Sequence, residues 1–215
     1  EVIPRGVPAD RFAPPSSDRA ARARAEHGVE GEAPVALFLG SLTAEKDVRA
    51  AVAAMGSLPE WRLLVVGEGP ERSAAETLAE QVAPGRVVFH GVTDDPAAAH
   101  AASDLIVVPS RTEGLPGVVI EAALMERPAV VTRVGFVEDI VDDGRTGRIV
   151  ESADPHVLAA GMTEAYADRS AIGAAARGKV MEGFSMDTVA AKWERVLRRH
   201  VGGVGVRPEA SDAAR

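Results

Sequence analysis

Six short apolar runs rich in β-branched residues recur along the chain, and segments with helical spacing separate most of them. The runs are VALFLG (35–40), RLLVVG (62–67), RVVFHG (86–91), DLIVVP (104–109), PAVVT (128–132) and GRIV (147–150). None alternates strictly between apolar and polar residues, which is the pattern expected of strands buried on both faces. Strand–helix alternation with short connections predicts an α/β fold, a Rossmann-like parallel six-stranded sheet with helices on both faces and right-handed crossovers.

The remaining segments divide the chain into four parts. Helical patterns are found at 17–28, 45–56, 71–82, 95–102 and 116–126, and then at 155–168, 169–182 and 186–200. In the last of these, Val189, Trp193, Val196 and Leu197 share one helix face, and we expect an exposed apolar patch near Trp193. The predicted division is a proline-rich lead-in (1–16), a Rossmann-like domain (17–182), a C-terminal helix (183–201) and a mobile tail (202–215).

Composition narrows the possible functions. A chain of 215 residues with 46% hydrophobic residues can bury one sizeable core. Its 24 basic and 32 acidic residues give a net charge of −8, which argues against a nucleic-acid partner. Cysteine is absent, which excludes disulfides and thiolate sites and is typical of a reducing, cytoplasmic setting. No apolar run approaches the roughly 20 residues of a membrane span.

The stretch RTEGLPGVVIEA (111–122) contains the strongest candidates for ligand-binding residues. It follows a predicted strand, and ligands of open parallel sheets bind beyond the carboxyl ends of strands. Pro116 suits the first position of a helix, and the free amides around it form an anion site suited to phosphate. Glu113 lies before that helix and Glu121 within it, and a carboxylate can hold a vicinal diol through two hydrogen bonds. Backbone amides that can bind phosphates, flanked by two acids that can bind sugar hydroxyls, are the features expected of a nucleotide-sugar site. A simpler interpretation, a helix-dipole contact by Glu113 and a solvated Glu121, stays open.

Three other loops follow predicted strands. In GSLTAEKD (40–47), Lys46 lies near a helix start, where a cation is unfavourable unless an anion binds nearby, although an ordinary solvated lysine fits as well. GEGPER (67–72) fails as a dinucleotide fingerprint because Arg72 takes the third glycine position, so a nicotinamide site is not expected. Val92 could contact a base edge or belong to a plain turn.

The five histidines show no metal-ligand spacing, and Ser110 lacks a G-x-S-x-G elbow.

Taken in order, these segments are similar to a known family. VIPRGVPADRF, GSLTAEKD, LLVVGEGPER, VVFHGV, SDLIVVPSRTEGLPGVVIEA and VTRVGFVEDIVDDGRTGRIV follow one another from about Val2 to His200. This succession resembles the C-terminal, donor-binding domain of retaining glycosyltransferases of the GT-B fold, family 4 (group 1). The resemblance implies that the chain forms one half of a GT-B fold. Residues 1–16 would then be an interdomain entry segment, 17–182 the donor-binding domain and 183–201 a helix that crosses back to the other half. Membrane contact would be expected only through that missing domain.

The resemblance also implies roles for individual residues. Glu113 would contact the hydroxyls of the donor sugar, Glu121 the ribose, and Lys46 the departing diphosphate, which makes Lys46 and Glu113 the catalytic pair. Val92 would lie beside the base. The implied donor-binding set is Gly40, Ser41, Lys46, Gly67, Val92, Glu113, Leu115, Pro116, Gly117, Val118 and Glu121. The amides at Leu115, Gly117 and Val118 would meet the phosphates.

The family further implies retaining sugar transfer without a metal or other cofactor. The donor would be a nucleoside-diphosphate sugar, and an N-terminal domain of the same enzyme would hold the acceptor. The chain opens with Glu1 rather than Met, and we expect it to be a fragment that is incomplete and inactive alone. Two other functions stay open: a non-catalytic nucleotide-sugar-binding module and a GT-B-like sugar-nucleotide epimerase.

Three positions depart from the family pattern. Ser41 stands where many relatives place an arginine that pairs with the lysine on the phosphates. Phe136 replaces the second glycine of a Gly-Gly loop, which predicts a narrower space near the sugar. Glu126 stands where the family usually ends its helix with glycine, and we expect a local difference in capping.

Overall fold

The computed structural model describes residues 6–201, so the predicted tail and the first five residues lie outside the described part. Six strands form one sheet: β1 (Val35–Leu39), β2 (Arg62–Val66), β3 (Val87–Gly91), β4 (Leu105–Val108), β5 (Ala129–Thr132) and β6 (Arg148–Val150). All neighbouring strands pair in parallel, in the order β3-β2-β1-β4-β5-β6. The predicted Rossmann-like sheet is confirmed, and each of its strands lies within the predicted run.

Nine helices accompany the sheet within residues 6–201. They are α1 (Ser17–Glu26), α2 (Val48–Ala54), α3 (Arg72–Val82), α4 (Pro96–Ala102), α5 (Gly117–Leu124), α6 (Val137–Ile140), α7 (Pro155–Ala167), α8 (Arg169–Phe184) and α9 (Met186–Val201). A 3₁₀ turn, Met55–Ser57, extends α2. Eight of the nine match predicted helical segments, and only α6 was missed, because a helix of one turn is too short to show periodicity.

The sheet separates two apolar layers, which explains why its strands show no alternation. In β1, Leu37 packs with α4 and α5 on one face, while Ala36 and Phe38 pack with α2 and α7 on the other. Both faces are therefore covered by helices, as expected of a parallel sheet. Strand order reverses between β1 and β4, so the connections from these two strands run to opposite faces and leave a crevice beyond their carboxyl ends.

The segment before α1 lies against the end of α8. The Val7 amide donates to the Phe184 carbonyl at 3.1 Å, and the Met186 amide donates to the Val7 carbonyl at 3.1 Å. Val7 and Phe12 are both buried in the core. The lead-in thus holds the junction between α8 and α9 in place.

Helix α9 is only partly packed against the rest of the chain. Val189, near its start, is buried, whereas Trp193 is 51% exposed and Leu197 is 53% exposed. Met186 is also exposed, so the predicted apolar patch near Trp193 is present. Within residues 6–201 this face is therefore covered at Val189 but open at Trp193 and Leu197.

Helix α5 ends in a Schellman motif whose left-handed position holds a glutamate. The Arg127 amide donates to the Ala122 carbonyl at 2.8 Å and the Glu126 amide to the Ala123 carbonyl at 3.0 Å. Glu126 has φ 57°, a conformation that favours glycine. The helix therefore ends with the usual geometry, and the predicted capping difference lies in the residue, a glutamate in place of glycine.

We expect Glu126→Gly to raise stability. The left-handed conformation costs an ordinary residue about 1–2 kcal/mol, and the greater unfolded-state freedom of glycine offsets about 0.5–1 kcal/mol of that gain. The melting temperature should therefore rise by about 1–3 °C for a chain of this size. Glu126→Ala is the matched control, because it removes the side chain but keeps the backbone penalty. A rise with alanine equal to that with glycine would contradict this explanation.

Candidate functional site

Two adjoining cavities open at the switch point between β1 and β4. The first, of about 240 Å³, includes in its lining Gly40, Lys46, Ser110, Glu113, Leu115, Pro116, Gly117 and Val118. The second, of about 430 Å³, includes Gly40, Ser41, Gly67, Glu68, Val92, Val118 and Glu121. Gly40 and Val118 border both cavities. Every position predicted to bind the donor therefore lines one cavity or the other.

Glu113 is held by two donors in the first cavity. Lys46 Nζ donates to Glu113 Oε1 at 2.6 Å, and Ser110 Oγ donates to the same oxygen at 2.7 Å. The Glu113 side chain is only 9% exposed. Within the described residues Oε2 has no hydrogen-bond partner, so this oxygen is available to accept from a ligand hydroxyl.

Lys46 is brought to Glu113 by contacts between two loops. The Arg111 amide donates to the Glu45 carbonyl at 2.8 Å, and Arg111 Nε donates to Asp47 Oδ2 at 2.9 Å. Asp47 itself has φ 50° and precedes α2, which begins at Val48 rather than at the predicted residue 45. Lys46 is thus half-buried and paired, and the interpretation as a solvated lysine is wrong.

Ser110 is a site residue that the sequence analysis missed. It was considered only as a hydrolase nucleophile, yet its side chain is buried and supports Glu113. Its carbonyl accepts a hydrogen bond from Thr132 Oγ1 at 2.5 Å, which fixes the loop after β4 to β5. Its position directly after β4 and Pro109, at the head of the same loop as Glu113, was the available signal.

The start of α5 differs from the prediction by one residue. Pro116 was expected at the first helical position but is the N-cap, with ψ 105°, and the helix begins at Gly117. Extended backbone at Pro116 lets the chain turn into the helix, and no side chain caps the helix start. The amides of Gly117 and Val118 lack intrahelical partners. A Cβ added to Gly117 would meet nothing within 4 Å, so the space beside these amides is open to an anion.

Glu121 belongs to the second cavity, on the other side of the α5 start from Glu113. Its Oε2 lies 3.6 Å from His100 Nε2, beyond hydrogen-bond distance. Val92 is exposed and Gly67 lies across the same cavity. The two acids therefore line adjoining cavities on either side of an uncapped helix start.

The loop after β5 supports the backbone of the Glu113 loop. A Cβ added to Gly135 would lie 2.1 Å from the Glu113 carbonyl oxygen, and Gly135 has φ +57°. The Phe136 amide donates to the Gly114 carbonyl at 3.0 Å. The Phe136 side chain is 63% exposed and lines neither cavity, so it narrows neither of them. Phe136 takes part in the contact with the Glu113 loop through its backbone amide.

The part of the chain that the structure describes contains neither a metal-binding cluster nor a membrane-spanning helix. No group of three or more His, Asp or Glu side chains is placed to hold a metal ion among residues 6–201. None of the helices in the same range is long and apolar enough to cross a bilayer.

A parallel sheet of this order, with a crevice at the switch point, defines a Rossmann-like α/β domain. The sequence profile for group 1 glycosyl transferases matches residues 33–168, more than half of the chain. The chain belongs to the group 1 glycosyltransferase family.

Individual relatives agree with this placement. A GDP-mannose-dependent alpha-(1-6)-phosphatidylinositol monomannoside mannosyltransferase of Mycolicibacterium smegmatis is 31% identical over 214 residues, covering 92% of this chain and 56% of the relative. The sucrose-phosphate synthase of Thermosynechococcus elongatus has 29% identity and a TM-score of 0.84, with 94% and 53% covered. The Anabaena protein HepE in complex with UDP-glucose has 21% identity and a TM-score of 0.85, with 93% and 57% covered. The chain spans little more than half the length of each of these proteins.

Proposed function

We propose that this chain is the donor-binding domain of a glycosyltransferase that takes its sugar from a nucleoside-diphosphate sugar and transfers it with retention. The observation that carries the proposal is the uncapped start of α5 between Glu113 and Glu121, in two connected cavities. Solved structures of the HepE fold relative hold UDP and UDP-glucose, and the mycobacterial relative is named as GDP-mannose-dependent. Both facts support a nucleotide-sugar as the ligand.

In this proposal the diphosphate lies at the junction of the two cavities. The amides of Gly117 and Val118 donate to its oxygens, and the positive end of the α5 dipole faces it. Lys46 Nζ, now on Glu113, turns part of its hydrogen bonding toward the phosphate next to the sugar. Negative charge grows on the diphosphate as the glycosidic bond breaks, so these donors stabilise the transition state more than the bound donor. They supply this stabilisation without a metal ion.

Each of the two acids binds one of the two sugars of the ligand. Glu113 Oε2 accepts from hydroxyls of the donor sugar, while Lys46 and Ser110 donate to Glu113 Oε1. Glu121 accepts from the ribose hydroxyls, and exposed Val92 contacts the base. Retention follows if the acceptor attacks from the face that the diphosphate leaves, with the diphosphate accepting the acceptor's proton.

The acceptor belongs to a further domain. The relatives matched are nearly twice as long as this chain, and the apolar patch of Met186, Trp193 and Leu197 on α9 is left uncovered by residues 6–201. We propose that an N-terminal domain of the same enzyme binds the acceptor and closes the cleft. The chain alone would then bind donor without transferring sugar.

Replacing Lys46 with alanine tests the phosphate assignment. Calorimetry should show that GDP or UDP binds about 10-fold more weakly, because a hydrogen bond to a charged group contributes about 1.5–3 kcal/mol. Binding of the corresponding nucleoside, which lacks phosphate, should not change. A loss of nucleoside binding equal to the loss of diphosphate binding would contradict a phosphate contact.

Glu113→Gln separates the sugar end from the phosphate end. We expect this variant to bind the nucleoside diphosphate at least as well as the wild type, since one negative charge near the phosphates is removed. It should bind the nucleotide-sugar less well, since the amide holds hydroxyls less strongly. Failure of every nucleoside diphosphate and its sugar ester to bind at millimolar concentration would overturn the proposed function. Turnover of a nucleotide-sugar without any acceptor would favour an epimerase.

A further inference from the structure

His100 is a buried polar side chain with no hydrogen bond of its own. It lies in the last turn of α4, its side chain is 0% exposed, and neither Nδ1 nor Nε2 has a hydrogen-bond partner. A buried polar group left unpaired costs about 1–3 kcal/mol. Such groups are rare in native proteins and call for an explanation. An apolar ring of similar size would fill the same space without this cost.

The ring contacts Phe12 and approaches Glu121, which lines the second cavity. Phe12 packs edge-on against it, with 6.2 Å between ring centroids. The backbone around His100 is also fixed, because its carbonyl accepts from Ser103 Oγ at 3.0 Å and from Arg127 Nε at 3.3 Å. On the cavity side, Nε2 lies 3.6 Å from Glu121 Oε2.

Glu121 differs from Glu113 in its lack of supporting donors. Glu113 Oε1 accepts from both Lys46 and Ser110, whereas the carboxylate of Glu121 accepts no hydrogen bond within the described range. His100 is also the only basic side chain among residues 6–199 within 4 Å of the Glu121 carboxylate. A carboxylate that binds a vicinal diol with both oxygens needs a fixed orientation. His100 is the side chain placed to supply it.

We propose that His100 is a positioning residue for Glu121, donating from Nε2–H to Oε2 when ribose hydroxyls occupy the carboxylate. A small rotation of the Glu121 side chain shortens the 3.6 Å separation to hydrogen-bond length. This inference rests on the proposed function, because it assigns the ribose to Glu121. It adds that the preference for ribose over deoxyribose depends on His100, a residue that does not itself contact the ligand.

The test compares a ribonucleoside diphosphate with its 2′-deoxy counterpart by calorimetry on the full chain. The preference of the wild type for the ribose form is expected to fall about 5- to 10-fold in His100→Phe, which corresponds to the loss of one hydrogen bond. His100→Gln, whose amide places N–H groups near the position of Nε2, should restore most of it. His100→Phe with an unchanged preference would overturn the inference, and so would His100→Gln behaving like His100→Phe.

A second measurement needs no variant that disturbs the core. Long-range ¹H–¹⁵N spectra of the wild type should show hydrogen on His100 Nε2, and the Nε2 resonance should shift with the ribose ligand but not with its 2′,3′-dideoxy analogue. A persistent Nδ1–H neutral ring would overturn the inference. The two proposals fail in different ways. Absence of any nucleoside diphosphate binding removes the proposed function, whereas binding that needs Glu121 but ignores His100 removes only this inference.

Discussion

Replacing Glu121 with alanine is expected to weaken nucleoside diphosphate binding by about 100-fold. Each hydrogen bond to a charged group contributes roughly 1.5–3 kcal/mol, and a 100-fold loss corresponds to about 2.7 kcal/mol. The loss should appear with GDP, UDP or ADP, whichever binds best, in calorimetric titrations of the full chain. It should be much smaller with the 2′,3′-dideoxy form, which has no diol for the carboxylate to hold.

Glu80→Ala is a suitable control for this change. Glu80 is an exposed acid on α3, so its removal alters the net charge equally but leaves the cleft intact. We expect its affinity to stay within about twofold of the wild type, as for surface substitutions in general. Equal losses in Glu80→Ala and Glu121→Ala would show that net charge, rather than a ribose contact, governs binding.

Gly135→Ala is expected to destabilise the fold near the site strongly. Alanine at φ +57° carries a left-handed penalty of about 1–2 kcal/mol. Its Cβ would also lie 2.1 Å from the Glu113 carbonyl oxygen, so backbone must move. Overpacking of this kind adds about 1–3 kcal/mol. We expect a total destabilisation of about 2–5 kcal/mol in denaturant titrations, together with weaker binding of the nucleotide-sugar because the Glu113 loop is displaced.

Gly85→Ala isolates the conformational part of this cost. Gly85 has φ +70°, close to that of Gly135, but a Cβ there would meet nothing within 4 Å. The difference in stability between the two variants therefore measures the contact with the Glu113 loop. If both lose the same stability and Gly135→Ala retains full ligand binding, the loop after β5 does not support the site.

The sequence was informative wherever the signal is local. Each strand of the sheet could be located from its own apolar run, and Glu113, Pro116 and Glu121 stand in one continuous motif. The partner of Glu113 could not be predicted in the same way, because Lys46 is 67 positions away and is aligned by contacts between two loops. The resemblance to the family named both residues but did not predict that they pair.

Residues that act through another side chain were missed for a related reason. His100 lies in none of the quoted segments, and Ser110 lies in one but was considered only as a nucleophile. The importance of both residues lies in which atom each of them faces. The exact start of α5 was also beyond pattern reasoning, because proline suits both the first helical position and the position before it. The backbone angle at Pro116 decides between the two.

The ion pair between Lys46 and Glu113 has a consequence for how readily a ligand is captured. A lysine side chain free in water has about 2 kcal/mol of rotamer entropy to lose when it is fixed. Here the cation is already fixed beside the cleft before any ligand arrives, so most of that cost is incurred when the chain folds rather than during association. The cleft is in this sense preorganised, and an incoming anion has only to share a cation that is already in place.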